Sequence, residues 1–228
     1  MIYIVPTPIG NIEDITVRAL KTLSNSEIIA CEDTRVTGNL LKKYSITPKK
    51  LVSLHEHSEK EIVQKLIDYS MTGLRISIVS DAGLPGISDP GIDIVKACID
   101  QECQFTILPG AVAFPLAFVA SGFESPLHFW GFPPHKQGRK NFVKKALSDK
   151  YGCAMFYESP HRLMNLLELI QELINNQVNV FIGRELSKIH EEYLRGTVLE
   201  IIKVFEKKQI KGEIVVAVDL NCQTALNP

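Results

Sequence analysis

Residues 75 to 91 read RISIVSDAGLPGISDPG. The first five residues predict a short buried strand, because a mostly apolar run of this length bounded by turn residues suits a covered sheet. The stretch Ser80–Gly91 carries three glycines and two prolines, which fix an unusual backbone path and favour a ligand loop. Asp89 and Pro90 predict the cap and first position of a helix. Strand, loop and helix in this order form the repeating unit of a parallel α/β sheet.

The same alternation continues on both sides of that unit. Further strands are predicted at Ile2–Val5, Ile28–Cys31, Leu51–Leu54 and Gln104–Leu108, each followed by a helical pattern. Five such pairs predict a mostly parallel sheet with helices on both faces. The sequence becomes aromatic and basic after residue 120, and strands are predicted there at Leu127–Phe132, Cys153–Tyr157, Val178–Ile182 and Ile214–Val218. We therefore expect an N-terminal α/β domain over residues 1–120 and a C-terminal α/β domain over residues 121–228.

Composition excludes several classes of protein. The net charge of −1 lacks the basic excess of a dedicated nucleic-acid binder, so any RNA would have to meet a local basic patch. The five cysteines include no C-x-x-C pair, and the odd count favours a reducing compartment. The N-terminus does not resemble a signal peptide, and no apolar run is long enough to span a membrane. These features predict a cytoplasmic protein without a membrane partner.

Polar or glycine-rich segments follow nearly every predicted strand. In open α/β sheets ligands bind outside the carboxyl ends of the strands, which is where these segments would lie. They are PTPIGN (6–11), EDTR (32–35), HEH (55–57), SDAGLPGISDP (80–90), PGAVA (109–113), ESPHR (158–162) and GRELSK (183–188). The motifs G-x-G-x-x-G and G-x-x-x-x-G-K-[ST] are absent, which argues against Rossmann dehydrogenases, Rossmann-type methyltransferases and P-loop enzymes.

Several residues in these segments have both a functional and a structural interpretation. Asp81 would accept from a cation or hydroxyl of a ligand, or would merely order a turn, whereas Gly83 and Gly86 would let a ligand approach the main chain. Arg162, in the first turn of a helix capped by Ser159, would bind a phosphate or carboxylate, or would be solvated. The group Arg184, Glu185 and Lys188 would face a substrate or form a structural ion pair.

One dense basic patch is interleaved with aromatic residues. Such a patch suits RNA phosphates and unstacked bases, but it is also typical of a solvated helix beside an apolar strand. Its members are Lys136, Arg139, Lys140, Lys144 and Lys145, with Phe129, Trp130, Phe132 and Phe142. His55 and His57 have a spacing that could hold a metal, but no third ligand is evident, so we expect no metal site.

Taken together and in order, these segments resemble the tetrapyrrole-methylase superfamily, and within it the branch that methylates the RNA of the small ribosomal subunit. The resemblance runs through VPTPIGN, ITVRAL, CEDTR, SDAGLPGISDPG, LPGAVA, SGF, GFPP, ESPHRL, GRELSK and the late Gly212-Glu213, over residues 2 to 219. It implies two α/β domains with S-adenosylmethionine in the cleft between them, and a homodimer. The implied reaction is methyl transfer to the ribose 2′-hydroxyl of a cytidine in the decoding region of 16S ribosomal RNA.

The resemblance also implies roles for individual residues. Cofactor-binding positions would be Pro8, Gly10, Asp81, Ala82, Gly83, Pro85, Gly110 and Ala111. RNA-facing positions would be Arg162, Arg184 and Lys188, and the basic patch adds Lys136 and Arg139 as substrate-binding candidates. Candidates for the general base are Glu158, His161, Glu185 and Lys188, of which the lysine would need a pKa depressed by burial.

Two departures from the family pattern remove hydroxyls near the expected cofactor, since Leu84 replaces a threonine and Val112 a serine. Two alternatives stay open. One is another methyltransferase of the superfamily, acting on a corrin-type tetrapyrrole or a protein. The other is a non-catalytic RNA-binding module that has lost the use of the cofactor.

Overall fold

A computed structural model describes residues 1–54, 60–88, 91–149, 151–208 and 210–221. The chain divides into two compact units, Met1–Val112 and Ala113–Pro228. Each unit has its own five-stranded sheet, which agrees with the expected pair of α/β domains. No described helix combines the length and the apolar character needed to cross a membrane.

The first unit is a parallel sheet with helices between its strands. The strand order is β3-β2-β4-β1-β5, and every pairing is parallel, as predicted. The elements are β1 (Ile2–Ile4), a 3₁₀ turn (Ile12–Asp14), α1 (Val17–Asn25), β2 (Ile28–Cys31), α2 (Thr34–Lys43), β3 (Leu51–Ser53), α3 (Lys60–Met71), β4 (Ile76–Val79), α4 (Ile92–Asp100) and β5 (Phe105–Ile107).

Alternate residues of these strands belong to two apolar cores, one on each face of the sheet. In β2, Ile28 and Ala30 pack into the core that includes residues of α3 and α4. Ile29 and Cys31 pack into the core that includes residues of α1 and α2. Burial on both faces explains why β2 and β4 are apolar apart from Ser77.

The strand order creates a switch point between β1 and β4. The connection from β1 to β2 passes over β4 toward one side of the sheet. The connection from β4 to β5 passes over β1 toward the other side. The two connections thus run in opposite directions from neighbouring strands. Ligands of open α/β sheets bind at such a point, outside the carboxyl ends of the strands.

The second unit contains a mixed sheet with the order β6-β7-β10-β8-β9. Only β6 and β7 are parallel to each other, and the other three pairings are antiparallel. The elements are α5 (Ala113–Ser121), β6 (Leu127–Phe129), α6 (Arg139–Ala146), β7 (Cys153–Glu158), α7 (Pro160–Leu173), β8 (Asn179–Arg184), β9 (Glu192–Thr197), α8 (Val198–Glu206) and β10 (Ile214–Asp219). Helices α6, α7 and α8 form the main core with one face of the sheet.

The structure places the division of the chain at Val112, whereas the sequence suggested residue 120. The reason is helix α5, which packs on strands β7, β8 and β10 of the second unit. Its apolar sequence, AFPLAFVAS, gave no sign of which unit it would join. Strand β6 is also shorter than expected, ending at Phe129 rather than Phe132.

Candidate functional site

The loops that follow β1 and β4 are joined directly by main-chain hydrogen bonds. The N–H of Thr7 donates to the carbonyl of Gly83 over 2.9 Å, and the N–H of Gly83 donates back over 3.1 Å. The buried Thr7 hydroxyl donates to the Ser80 carbonyl over 3.1 Å. The segments PTPIGN and SDAG are therefore held side by side at the switch point.

The loop after β5 closes onto the same two segments. A Cβ added at Gly110 would lie 2.7 Å from Pro6 Cγ and closer still to Pro6 Cβ. A Cβ at Gly83 would lie 3.2 Å from Ile9 Cγ2 and 3.4 Å from the Ala111 carbonyl. The loops after β1, β4 and β5 thus converge at one edge of the sheet, and they carry all eight residues suggested for the cofactor.

These eight residues divide by exposure. Gly10, Ala82 and Gly110 are exposed, and Pro8, Asp81 and Ala111 are half-buried. Pro85 and Gly83 are buried, and the approach of a ligand to the main chain at Gly83 stays a prediction. Its φ of +84° and its neighbours Ile9 and Ala111 show that glycine is needed there to pack the loops together.

Asp81 links this edge to the loop after β2. Its Oδ1 accepts a hydrogen bond from the N–H of Asp33 over 3.0 Å. Its Oδ2 accepts no hydrogen bond from the described part of the chain. Asp33 in turn caps α2 by accepting from the N–H of Arg35 over 2.8 Å. The Arg35 guanidinium and this N–H hold the pKa of Asp33 well below its usual range. Asp81 is therefore fixed in place with one carboxylate oxygen available.

The two departures from the family pattern affect this edge differently. Leu84 packs against the core that includes β4 and α4, so its side chain contributes to the hydrophobic core beneath the loop. Val112 is half-buried. The leucine is thus accounted for by core packing.

In the second unit, strand register brings the remaining motif segments to one edge. Ile214, the first residue of β10, lies opposite Glu158 of β7 and Arg184 of β8. Arg184 lies opposite Glu192 of β9. The segments ESPHR, GRELSK and Lys211-Gly-Glu213 therefore start or end in a single row across the sheet.

A buried charged cluster lies at this edge. Glu158 Oε2 accepts from Arg139 Nη2 at 2.5 Å, and Glu158 Oε1 forms an ion pair with Arg162, 3.0 Å from Nε. The N–H of Ser159 also donates to Glu158 Oε1, over 2.7 Å. The exposed fraction of the side chain is 7% for Arg139, 0% for Glu158 and 19% for Arg162. With both oxygens engaged, Glu158 is poorly placed to act as a base.

Arg139 is the clearest difference from the sequence interpretation. All its guanidinium nitrogens donate within the protein: Nε to Asn165 Oδ1 over 2.7 Å, Nη1 to the carbonyls of Pro133 and Pro134, and Nη2 to Glu158 and the Arg162 carbonyl. No donor is left for RNA, so the structure favours a structural role over a substrate contact. Ser159 also differs, because its hydroxyl accepts from Arg162 Nε rather than capping α7.

A second charged cluster joins the segment GRELSK to Glu213. Lys188 Nζ lies 3.0 Å from Glu185 Oε1 and 3.2 Å from Glu213 Oε2. Burial alone would raise the pKa of Glu185, but the Glu213 N–H and the Lys188 ammonium outweigh it and the pKa is lowered. Burial alone would lower the pKa of Lys188, but the two carboxylates raise it. Lys188 is thus held protonated, contrary to what a lysine base requires.

The backbone around this cluster is constrained. Glu185 and Ser187 have φ of +53° and +65°, in the left-handed region that non-glycine residues rarely adopt. A Cβ at Gly212 would lie 2.5 Å from Glu185 Oε1. Such strain is characteristic of functional loops.

The other predicted site residues differ in their hydrogen-bond partners and in their exposure. Arg184 Nε pairs with Glu192 Oε2 at 2.8 Å, and Nη1 donates to the Lys211 carbonyl, which matches the structural alternative for this residue. Lys136 is exposed in the loop before α6. His161 is exposed in the first turn of α7.

Comparison with known proteins shows the family of this chain. The model of the tetrapyrrole (corrin/porphyrin) methylases matches residues 1–202. The chain belongs to the tetrapyrrole methylase family. Its relatives include proteins named ribosomal RNA small subunit methyltransferase I. The one from Hydrogenobaculum sp. is 44% identical over 94% of this chain and 93% of its own length. The one from Bacillus subtilis is 42% identical over 96% of this chain and 75% of its own.

Solved structures share the fold of this tetrapyrrole methylase. Uroporphyrin-III-C-methyltransferase from Thermus thermophilus superposes with a TM-score of 0.68 at 17% identity, covering 100% of this chain and 98% of its own. The methyltransferase CobJ gives a TM-score of 0.70 at 16% identity, covering 96% and 93%. Identities this low establish a common fold and nothing more.

Sequence reasoning missed several residues that build the two edges of this tetrapyrrole methylase. Asn165 and Glu192 gave no motif signal, because their partners lie on other elements. Glu213 was part of a quoted motif but was assigned no role. Among the described residues no group of three or more His, Cys, Asp or Glu side chains could hold a metal ion, and His55 and His57 lie outside that part.

Proposed function

We propose that this chain transfers a methyl group from S-adenosylmethionine to the ribose 2′-hydroxyl of a cytidine in the decoding region of 16S ribosomal RNA. The proposal includes a homodimer acting in the cytoplasm on the small ribosomal subunit. The observation that carries it is the 42–44% identity to proteins named ribosomal RNA small subunit methyltransferase I, over nearly the whole chain. The four described cysteines are all free and buried, which is compatible with a reducing compartment.

The edge formed by the loops after β1, β4 and β5 suits S-adenosylmethionine. The main chain is exposed at Gly10, Ala82 and Gly110, and it offers N–H and C=O groups to an adenosine and an amino-acid moiety. Asp81 offers a fixed carboxylate oxygen to a hydroxyl or an ammonium group. When bound, the cofactor supplies a methyl group on a sulfonium, which needs no metal for transfer.

Methyl transfer also requires removal of the proton from the ribose hydroxyl, a poor nucleophile. Of the four candidate bases, Glu158 has both oxygens engaged and Lys188 is held protonated between two carboxylates. Glu185 Oε1 already accepts from Lys188 and from the Glu213 N–H. His161 is exposed and has no hydrogen-bond partner within the described residues. We therefore propose His161 as the general base that accepts the proton of the ribose hydroxyl.

The test is mass mapping of ribose methylation on small-subunit RNA from a strain that lacks the gene. We expect one 2′-O-methylcytidine to be missing from the decoding region and restored by the wild-type gene. A full set of methyl groups in the deletion strain would contradict the RNA assignment. Light scattering of the purified protein checks the homodimer, for which twice the chain mass is expected.

His161→Ala tests the base in the purified enzyme. General-base catalysis contributes about 10²- to 10⁴-fold, so kcat should fall by at least about 10²-fold. Affinity for S-adenosylhomocysteine should be unchanged. His190→Ala is a matched control, because His190 is also exposed but lies in the β8–β9 loop. Equal kcat values for the two variants would show that His161 is not the base.

A further inference from the structure

The cluster of Arg139, Glu158 and Arg162 has an unequal charge balance. Two guanidinium groups share a single carboxylate, and the remaining side-chain partners, Asn165 and Ser159, are neutral. The cluster thus carries a surplus of one positive charge at a largely buried position. An uncompensated buried charge is costly, and it is relieved when an anion binds.

We attribute the surplus charge to Arg162, because the two guanidinium groups differ in their hydrogen-bond partners. Arg139 donates from all three guanidinium nitrogens to protein acceptors. The described part of the chain supplies an acceptor only to Nε of Arg162. Its Nη1 is buried without a hydrogen-bond partner among those residues, although the side chain as a whole is 19% exposed.

We propose that the accessible edge of the Arg162 guanidinium, at Nη2, binds one phosphate of the RNA substrate, and that Arg139 is a positioning residue for this subsite. The inference rests on the proposed function and specifies how the same RNA is held. A guanidinium suits a phosphate because its N–H groups donate charge-assisted hydrogen bonds. Diversion of the Ser159 hydroxyl to Arg162 also leaves the start of α7 without a side-chain cap, which further favours an anion there.

Glu158 and Arg139 fix the orientation of Arg162 from two directions. Glu158 Oε1 holds Nε of Arg162, and Arg139 Nη2 holds the Arg162 carbonyl over 3.4 Å. Arg139 is itself anchored by Asn165, one turn further along α7. This chain of contacts sets where the free edge of Arg162 lies. It explains why an arginine in a basic sequence patch is buried rather than solvated.

The first experiment measures methylation kinetics and RNA affinity with a 16S decoding-region fragment at several salt concentrations. Arg162→Gln should raise KM for RNA about tenfold, as expected for a lost charge-assisted hydrogen bond. The slope of log K against log salt should fall by about 0.7–0.9, which corresponds to one phosphate. Lys203→Gln removes an exposed positive charge on α8 and should change neither value.

Binding of S-adenosylhomocysteine separates RNA phosphate from the cofactor carboxylate as the anion. Affinity for S-adenosylhomocysteine should be the same in wild type and Arg162→Gln. If the substitution weakens cofactor binding and leaves the salt slope unchanged, the anion is not an RNA phosphate. If wild-type protein does not methylate RNA at all, the proposed function itself fails.

A double-mutant cycle tests the positioning role without disturbing the buried pair. Asn165 is exposed, so Asn165→Ala should fold while loosening Arg139. It should raise KM for RNA about threefold with kcat unchanged. In the Arg162→Gln background the same change should have no effect. An equal increase in both backgrounds would show that Arg139 has no positioning role for this subsite.

Discussion

Single residues at the edge of the first sheet are constrained by close contacts with their neighbours. Gly110 illustrates this, because a Cβ there would overlap Pro6. The glycine lets the loops after β1 and β5 come together, which brings the proposed cofactor residues of both loops to one place. The exposure of Gly110 alone would have suggested a ligand contact as the only reason for a glycine.

Gly110→Ala should therefore displace the loop after β5 and destabilise the first unit by about 1–3 kcal/mol, the usual cost of overpacking. Urea unfolding measures the change, and calorimetry should show weaker binding of S-adenosylhomocysteine. Gly38→Ala is the control, since nothing lies within 4 Å of its Cβ position in α2. It should stabilise the protein by about 0.5–1 kcal/mol. A tolerated Gly110→Ala would mean that close contact with Pro6 is not required.

The pair of Glu185 and Lys188 makes a pH-dependent contribution to stability. The folded pKa of Glu185 is lowered, so its contribution is present above the unfolded pKa of about 4.3 and is lost as pH falls through the folded value. The folded pKa of Lys188 is raised, so its contribution is present below about pH 10.4 and is lost as pH rises through the folded value. Both contributions are complete between about pH 5 and pH 10.

Lys188→Met should remove the pairing throughout that window. Its free energy of unfolding, from urea titrations, should fall below that of the wild type at pH 7. The difference should shrink at low pH, because protonation of Glu185 below its lowered folded pKa removes the ion pair in the wild type. Lys203→Met controls for the loss of an exposed charge. A difference that is the same at both pH values would contradict the ion pair as its source.

At the scale of secondary structure, the start of α8 is defined by a capping box. Thr197 Oγ1 accepts from the N–H of Glu200 over 3.3 Å, and Glu200 Oε2 accepts from the N–H of Thr197 over 2.8 Å. Thr197→Ala should cost about 1 kcal/mol in urea unfolding. Thr197→Ser keeps the oxygen and should cost much less. Equal losses would mean that the methyl group, not the hydroxyl, is what stabilises the helix.

The strands whose bounds were predicted best lie in the interior of the first sheet. Strands β1, β2 and β4 are mostly apolar and mostly buried, so their bounds were nearly correct. Strand β9 was missed, because Glu192–Thr197 reads EYLRGT and its residues are exposed or half-buried. An edge strand of this kind is stabilised by pairing with β8, and no local pattern records that pairing.

In the candidate sites, too, sequence patterns did not record contacts with other elements of the fold. The position of the motif segments at strand ends was predictable, because strand polarity fixes which loops share an edge. The state of each charged side chain was not. Arg139 looked like part of a solvated basic patch, yet Asn165 and Glu158 draw it into the protein. Such partners come from other elements, and sequence spacing gives no measure of their distance.

At the scale of the whole molecule, each unit has a complete sheet and its own apolar core, and the proposed cofactor loops all belong to the first. Ligand binding stabilises the folded state by about 2.7 kcal/mol at a concentration of 100 times Kd. We expect S-adenosylhomocysteine to raise Tm and to slow amide exchange in residues 6–11, 80–86 and 109–111. Amides of β8 and β10, in the core of the second unit, should be unaffected.

Asp81→Ala tests whether this response depends on the carboxylate that links the loops after β2 and β4. The substitution removes the acceptor of the Asp33 N–H and the free oxygen proposed for the cofactor. Affinity should fall at least tenfold, as expected when a hydrogen bond to a charged group is lost, and the Tm shift at the same ligand concentration should fall to about half or less. Asp93→Ala removes an exposed carboxylate on α4 that pairs with Lys96, and it should respond like the wild type. Undiminished protection of the three loops in Asp81→Ala would contradict the assignment of Asp81 to the cofactor.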